Sequence, residues 1–308
     1  MTSAGGALAP LNIKLMKQGA RHKAWVLAVD QRADAAGRYF ADAFATVPPG
    51  GDAGYADAVL KLVETHGIEL VLPWSDEEAL ALAASRERLA AKGVTLACVP
   101  LETLKLMTDK AATYRALAEA GLAMPEWVVV ETEEALAAAV DRFEALGDFV
   151  VKPVRARGNR GTVVVRRDAK GAAPHAGSRE WHADPASFRR ELLAEVGRNL
   201  PAVVMERLYA PAYDIDVLAW KGELLRAMPR RRLNPAGVPF TGSVLTPRDD
   251  LMTLARQVTA LLDVSWLYDY DLMTDRAGRP VVIEINPRPS GSIAASILAG
   301  VPFYDDLF

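Results

Sequence analysis

The sequence predicts a mixed fold class, an α/β unit with a parallel sheet followed by an α+β remainder that is mostly antiparallel. Three observations predict it. Residues 1 to 105 alternate helical segments with short apolar runs, the segments beyond them are Val-rich and separated by turns marked with Gly and Pro, and 51% of the 308 residues are apolar, enough for two or three cores. A net charge of −3 with acids and bases interspersed supplies no field for a nucleic acid, and a polyanion would need a local patch. The single cysteine, Cys98, cannot close an internal disulfide. No apolar run has transmembrane length and no leader is recognisable, so a cytoplasmic setting without a membrane partner is expected.

In chain order, "KAWVLAVD" (23–30), "IELVLP" (68–73) and "VTLACV" (94–99) read as the parallel strands. Between the last two, "SDEEALALAASRERLAAKG" reads as one helix, because Ser75 can cap it, Glu78 follows three residues later and Gly93 ends it. A parallel sheet of this kind opens with a strand before its first Gly-rich turn, yet "SAGGALAP" comes almost at once, and the first strand is absent from the pattern. From "MTDKAATYRALAEAG" a helix runs to Gly121, "WVVVE" is a strand, and "TEEALAAAVDRFEALG" is a capped amphipathic helix. "DFVVKPVRARGNRGTVVVRRD" reads as a hairpin about a Gly-containing turn, "HAGSREWHADP" as a surface loop, and Asp184 with Pro185 as the start of another helix. The rest, "AVVMERL", "YDIDVLAWKGELLRAM" and "WLYDYDLMTDRAGRPVVIEIN", is antiparallel, with one helix across 249–263.

The last strand carries polar residues that ask for a function. In "RPVVIEINPRPSGS" side chains alternate between faces, so Val282, Glu284, Asn286 and Arg288 share one side and Val281, Ile283 and Ile285 the other. A half-buried carboxylate and amide are costly unless satisfied, and a hard cation with oxygen ligands satisfies them; a strand running out into a solvated Asn-Pro turn is the alternative. Asp271 precedes the hairpin turn into this strand, and an antiparallel return can bring it beside Glu284 and Asn286, oxygen ligands that suit Mg2+. Lys152 in "FVVKP" reads either as a lysine aimed at a phosphate or as an edge lysine. Gly158 and Gly161 in "RGNRG" read either as amides that approach a polyphosphate or as ordinary turn glycines. Glu206 ends an apolar strand whose backbone can meet an adenine edge, while Asp214 and Asp216 share a strand face. The run Arg230, Arg231, Arg232 reads as a solvated rim, or as one arginine reaching into a cleft to pair with a substrate carboxylate. The histidines His22, His66, His175 and His182 show no metal-ligand spacing and are expected in surface or packing roles.

In this order, Lys110 in "TDK", Lys152 in "VVKP" ahead of a Gly hairpin, Glu206 after "VVM", Asp271 and "EINPR" resemble the ATP-grasp superfamily, and within it the carbamoyl-phosphate-synthase-like carboxylate-amine ligases. The resemblance covers nearly the whole chain. It implies an ATP-grasp fold with an N-terminal Rossmann-like pre-ATP-grasp domain at 1–105, a small lid domain at 106–205 and a larger metal-binding domain at 206–308. It also implies ATP and Mg2+: Lys110 and Lys152 on the nucleotide phosphates, the 158–161 turn closing over them, and the backbone around Glu206 and Leu208 on adenine. By the same resemblance Asp271, Glu284 and Asn286 would hold the metal, and Arg288 with Lys152 would meet the transferred phosphoryl group. Where the family carries a ribose-binding Glu, this chain has Ala212, with Asp214 as the nearest substitute. The implied reaction phosphorylates a small, amino-acid-like carboxylate and lets an amine attack the acyl phosphate. The implied partners are those two small molecules, with no nucleic acid and no membrane, and a homodimer. Two other classes stay open. One is a nucleotide-binding protein that transfers nothing, which Ala212 allows; the other is an NAD-dependent dehydrogenase with Asp30 on a ribose, against which the first turn lacks G-x-G-x-x-G.

Overall fold

Short apolar runs in the first hundred residues form two parallel ribbons, β1 (Leu27–Asp30) with β2 (Ala43–Thr46) and β3 (Leu70–Val71) with β4 (Thr95–Leu96). The structure is a computed structural model and describes residues 1–155, 160–175, 179–234 and 242–308. No strand is assigned before the first Gly-rich turn, but residues 1–4 bridge the two ribbons. Val29 N–H donates to the Met1 carbonyl at 3.0 Å, Ala4 N–H to the Val29 carbonyl at 3.1 Å and Thr2 N–H to the Leu72 carbonyl at 3.3 Å. This places the chain's first residues in the central slot of a Rossmann-like strand order. A stretch so short carries no alternation by which a sequence pattern could find it.

The helix expected from Ser75 to Gly93 is broken. Ser75 Oγ accepts from Glu78 N–H at 3.4 Å, yet the helix Asp76–Ala83 stops and a second, Arg86–Ala90, starts beyond Ser85, which has φ −110° and ψ 15°. Arg86, at the restart, donates to the carbonyls of Leu96, Cys98 and Val99.

The next six strands are β5 (Trp127–Val130), β6 (Phe149–Pro153), β7 (Val163–Val165), β8 (Ala172–Pro174), β9 (Trp181–Ala183) and β10 (Ala202–Glu206), in the sheet order β5-β10-β6-β7-β9-β8. The expected hairpin is present, with Phe149 opposite Val165. Val140 and Phe143 of the helix Glu133–Leu146 pack with Phe149 and Phe188 to form this sheet's core. The stretch 175–185, expected as a surface loop, instead supplies β9, which runs parallel to β7 with His182 beside Val164. Three residues are too few to show a period-2 pattern, which is why the strand escaped notice. Asp184 does open a helix, its carboxylate accepting from Ser187 N–H at 2.9 Å.

The last five strands are β11 (Tyr209–Trp220), β12 (Glu223–Arg232), β13 (Ser243–Leu245), β14 (Trp266–Thr274) and β15 (Pro280–Asn286), in the order β13-β12-β11-β14-β15. One face is apolar: Ile215, Val217, Tyr268, Tyr270 and Ile285 join a core shared with the helix Asp249–Leu261 and with Leu27, Val29 and Leu104 of the first unit. Two polar rows cross the sheet, Asp216–Asp269–Asn286 and Asp214–Asp271–Glu284. Strict alternation along β15 fails, because Asp271 pairs with Glu284 while Leu272 pairs with Val282, leaving Ile283 in a bulge. Val282 therefore packs with Ile285 in the core, and Ile283 joins Glu284 on the open side. Among the described residues no helix is long and apolar enough to cross a membrane.

Candidate active site

A cavity of about 230 Å3 lies between the two large sheets. Its apolar lining comes from Val150, Val164, Met205, Leu208, Met273 and Ile283, and its charged lining includes Lys110, Lys152, Arg232, Asp271 and Glu284. A larger cavity of about 790 Å3 sits against Trp25–Leu27 and Glu69–Leu72, away from these residues.

Each charged group is fixed by local chemistry. Asp109 caps the helix Lys110–Glu119 by accepting from Ala112 N–H at 2.9 Å, which sets Lys110 at the first helical position with its ammonium 2.9 Å from Glu284 Oε1. Tyr114, one helical turn on, shares that face. Lys152 Nζ donates to the Tyr114 hydroxyl at 2.6 Å, and the hydroxyl donates to the Ile283 carbonyl at 3.0 Å. Burial, partly offset by Glu284 and Asp271, brings the Lys152 ammonium down to about 8. Asp271 Oδ1 accepts from Arg232 at 2.6 Å, and the same guanidinium also holds Asp214. Burial, opposed by Arg232 and reinforced by Asp214 and Glu284, pushes Asp271 up to about 7. Burial and the neighbouring Asp271 also push Asp269 well above the usual carboxylate range. Asp269 Oδ2 accepts from Asn286 at 3.3 Å, while its Oδ1 has no hydrogen-bond partner and lies 3.8 Å from Arg288 Nη1. Arg288 is anchored by Asp76 Oδ1 and Asn286 Oδ1, each at 3.1 Å.

Of the residues singled out in the sequence, Lys110, Lys152, Leu208, Asp271 and Glu284 meet on this cavity wall. Asn286 and Arg288 lie further along β15 and its exit, off the wall. The Glu206 carboxylate turns to Arg276 at 3.2 Å, while its neighbours Met205, Arg207 and Leu208 line the cavity. Asp214 is a correction. It is buried, opposite Asp271 on the neighbouring strand and held by Arg232, so it is not on the wall where a ribose acid would stand. Gly161, at φ +72°, lies against Pro153 in an adjoining cavity instead, where an added Cβ would come within 2.9 Å of Pro153 Cγ. Gly158 lies outside the described residues.

The arginine run is a second correction, since it is not a solvated rim. Arg230 is fully buried and grips Asp216 with two hydrogen bonds, at 2.9 and 3.0 Å, and Asp216 also accepts from Ser290 and Ser296, each at 2.6 Å. Arg232 alone of the three reaches the cavity, already paired with acids. Asp30, the dehydrogenase candidate, instead accepts from Gly5 N–H at 2.6 Å and holds the Gly-rich turn closed. Sequence reasoning missed Tyr114, Asp269 and Asp76. The first two had a signal in their spacing, four residues after Lys110 and two before Asp271; Asp76 had none.

Residues 198–305 match the family model described as ATP-grasp in the biosynthetic pathway with Ter operon, and residues 3–97 match the PylC-like N-terminal domain. The ATP-grasp match thus covers the last third of the chain and the PylC-like match the first. Among solved structures, the ADP complex of N5-carboxyaminoimidazole synthetase from Staphylococcus aureus is similar over 96% of this chain and 73% of that one, with TM-score 0.69 and 16% identity. An L-amino acid ligase from Bacillus licheniformis is similar over 92% of this chain at TM-score 0.64 and 18% identity. A biotin carboxylase from Campylobacter jejuni is similar over 97% at TM-score 0.65 and 15% identity. Identities this low carry the fold alone. The chain spans 66% of the length of the amino acid ligase. A comparison with curated proteins finds no match.

The ATP-grasp acids fit a hard divalent cation. Asp271, Glu284 and Asn286 offer oxygen only and come from paired strands, and the neighbouring Asp269 keeps a buried oxygen without a hydrogen bond. Burial first, and then the neighbouring carboxylates, raise Asp269 and Asp271, and a cation placed among them relieves both.

Proposed function

We propose that this ATP-grasp chain is an ATP- and Mg2+-dependent ligase that activates a small, amino-acid-like carboxylate as an acyl phosphate for attack by an amine, releasing ADP and phosphate. The observation that carries the reading is the convergence of Lys110, Lys152, Asp271 and Glu284 on one cavity that also has an apolar wall. The apolar side chains around Met205 and Leu208 suit a purine, with the backbone after Glu206 on its edge. Lys152, held by Tyr114, presents its ammonium to the phosphates without reorganising, and Lys110 exchanges Glu284 for a phosphate oxygen. Asp271, Glu284 and Asn286 hold Mg2+, which when bound neutralises the β- and γ-phosphate oxygens. Arg288, steadied by Asp76, meets the transferred phosphoryl group. The three-part division at 105 and 205, a cytoplasmic setting and a homodimer belong to the same reading.

An ADP-release screen of amino acids against amines with Mg2+, run beside Glu284→Gln, tests it. Release is expected only when both substrates are supplied, and to fall by roughly two to three decades in the variant. Equal turnover by the variant would remove the metal assignment. A second reading, nucleotide binding without transfer, is favoured by Ala212 and by the withdrawal of Asp214 from the wall; it predicts ATP binding with no substrate-dependent release.

A further inference from the structure

We infer that the β8–β9 hairpin carries a binding site for a zinc-class divalent ion, built from His175, Glu180 and His182. Their ligand atoms all lie within 4.8 Å of one another. The hairpin creates the cluster from residues that look unrelated in sequence. Ala173 stands opposite His182 and the His175 N–H donates to the Glu180 carbonyl at 2.9 Å, so His175, Glu180 and His182 issue from one face. The two imidazole rings are stacked with centroids 4.2 Å apart, and Glu180 Oε1 sits 2.9 Å from His182 Nε2.

Two imidazoles and a carboxylate are the ligand set of three-ligand zinc sites that keep a position open. Zinc–nitrogen bonds of about 2.0–2.1 Å require the stacked rings to splay so that their nitrogens converge, a side-chain rotation within a hairpin already hydrogen-bonded in place. Mg2+ and Ca2+ prefer oxygen ligands and make poor occupants here. Glu180 and His182 line the same cavity as Lys110 and Lys152, which puts the open coordination position toward that cavity, where water or a phosphate oxygen would take it. The site shares no residue with the oxygen set of Asp271, Glu284 and Asn286, and it stands whether or not the chain is a ligase.

The test is a Co2+ titration of the full chain followed by visible d–d absorption, with Zn2+ competition by calorimetry. It is carried out in a Glu284→Gln background so that the oxygen set does not report. One equivalent of Co2+ displaced by Zn2+ is expected, with affinity falling at least roughly tenfold in His175→Ala and again in His182→Ala. Circular dichroism checks that the variants are folded, and the titration without them already discriminates. Absence of stoichiometric binding, or binding that survives both substitutions, would overturn the assignment; neither result bears on the ligase reading, which the ADP screen decides.

Discussion

Lys152→Met separates what the lysine does for the cavity from what its burial costs the fold. The ammonium falls from 10.5 to about 8, chiefly because burial disfavours its charge, and at ~1.4 kcal/mol per unit this is a burden of about 3 kcal/mol on the folded chain at neutral pH. Methionine fills similar space without charge and leaves the Tyr114 hydroxyl on the Ile283 carbonyl; the lost lysine–tyrosine hydrogen bond takes back about 1 kcal/mol. The variant should therefore be more stable than the parent by about 2 kcal/mol at pH 7 while losing ATP affinity. The pH dependence follows from the direction of the shift. Below about 8 both folded and unfolded parent carry the proton and the burden is constant; between about 8 and 10.5 the folded chain releases it first, so the parent gains stability as pH rises and the variant's advantage shrinks. Urea unfolding of both proteins at pH 7 and pH 10, with ATP calorimetry at pH 7, reads this directly. A variant less stable than the parent at pH 7, or an advantage that does not narrow by pH 10, would refute the reasoning.

Arg230→Met should cost about 3–5 kcal/mol in urea unfolding, because it removes one partner of a fully buried ion pair and leaves Asp216 with only Ser290 and Ser296. A loss confined to substrate KM, with unchanged stability, would restore the arginine to the substrate cleft. Asp76→Asn should lower kcat roughly ten- to a hundredfold with little change in KM for ATP, since Asp76 anchors Arg288 and does not line the cavity that Lys110 and Lys152 share. Steady-state kinetics at saturating ATP separates the two parameters.

The parts of the fold and site legible in the sequence are those that a period or a turn rule determines over several residues. Asp271 and Glu284 are paired as a hairpin requires, and the caps at Ser75, Thr132 and Asp184 all accept the backbone N–H expected of them. What escaped is set by single residues or by distant partners. The bulge at Ile283 shifts the register without leaving a mark in composition, so Val282 and Ile283 exchanged faces. Residues 1–4 and β9 are too short for any pattern, and the loss of β9 hid the approach of His175 to His182. Arg230 reads as surface in isolation, because nothing near it in sequence announces Asp216, fourteen residues earlier.

The polar face of the last sheet divides by function along its rows. In the row of Asp216, the acid is saturated by Arg230 and two serines with no exposure, which leaves it no capacity for a ligand and makes it a structural strut. In the row of Asp214, Asp271 and Glu284, the cations are shared: Arg232 serves two acids and Lys110 spans from a helix to the third. A shared, partly exposed cation can be exchanged at lower cost than a saturated buried one, since Asp271 and Glu284 keep some exposure to solvent while it changes hands. On the proposed reading, Asp271 and Glu284 would hold the metal and Lys110 would turn from Glu284 to phosphate, while the Asp216 row would keep β11 and β14 in register.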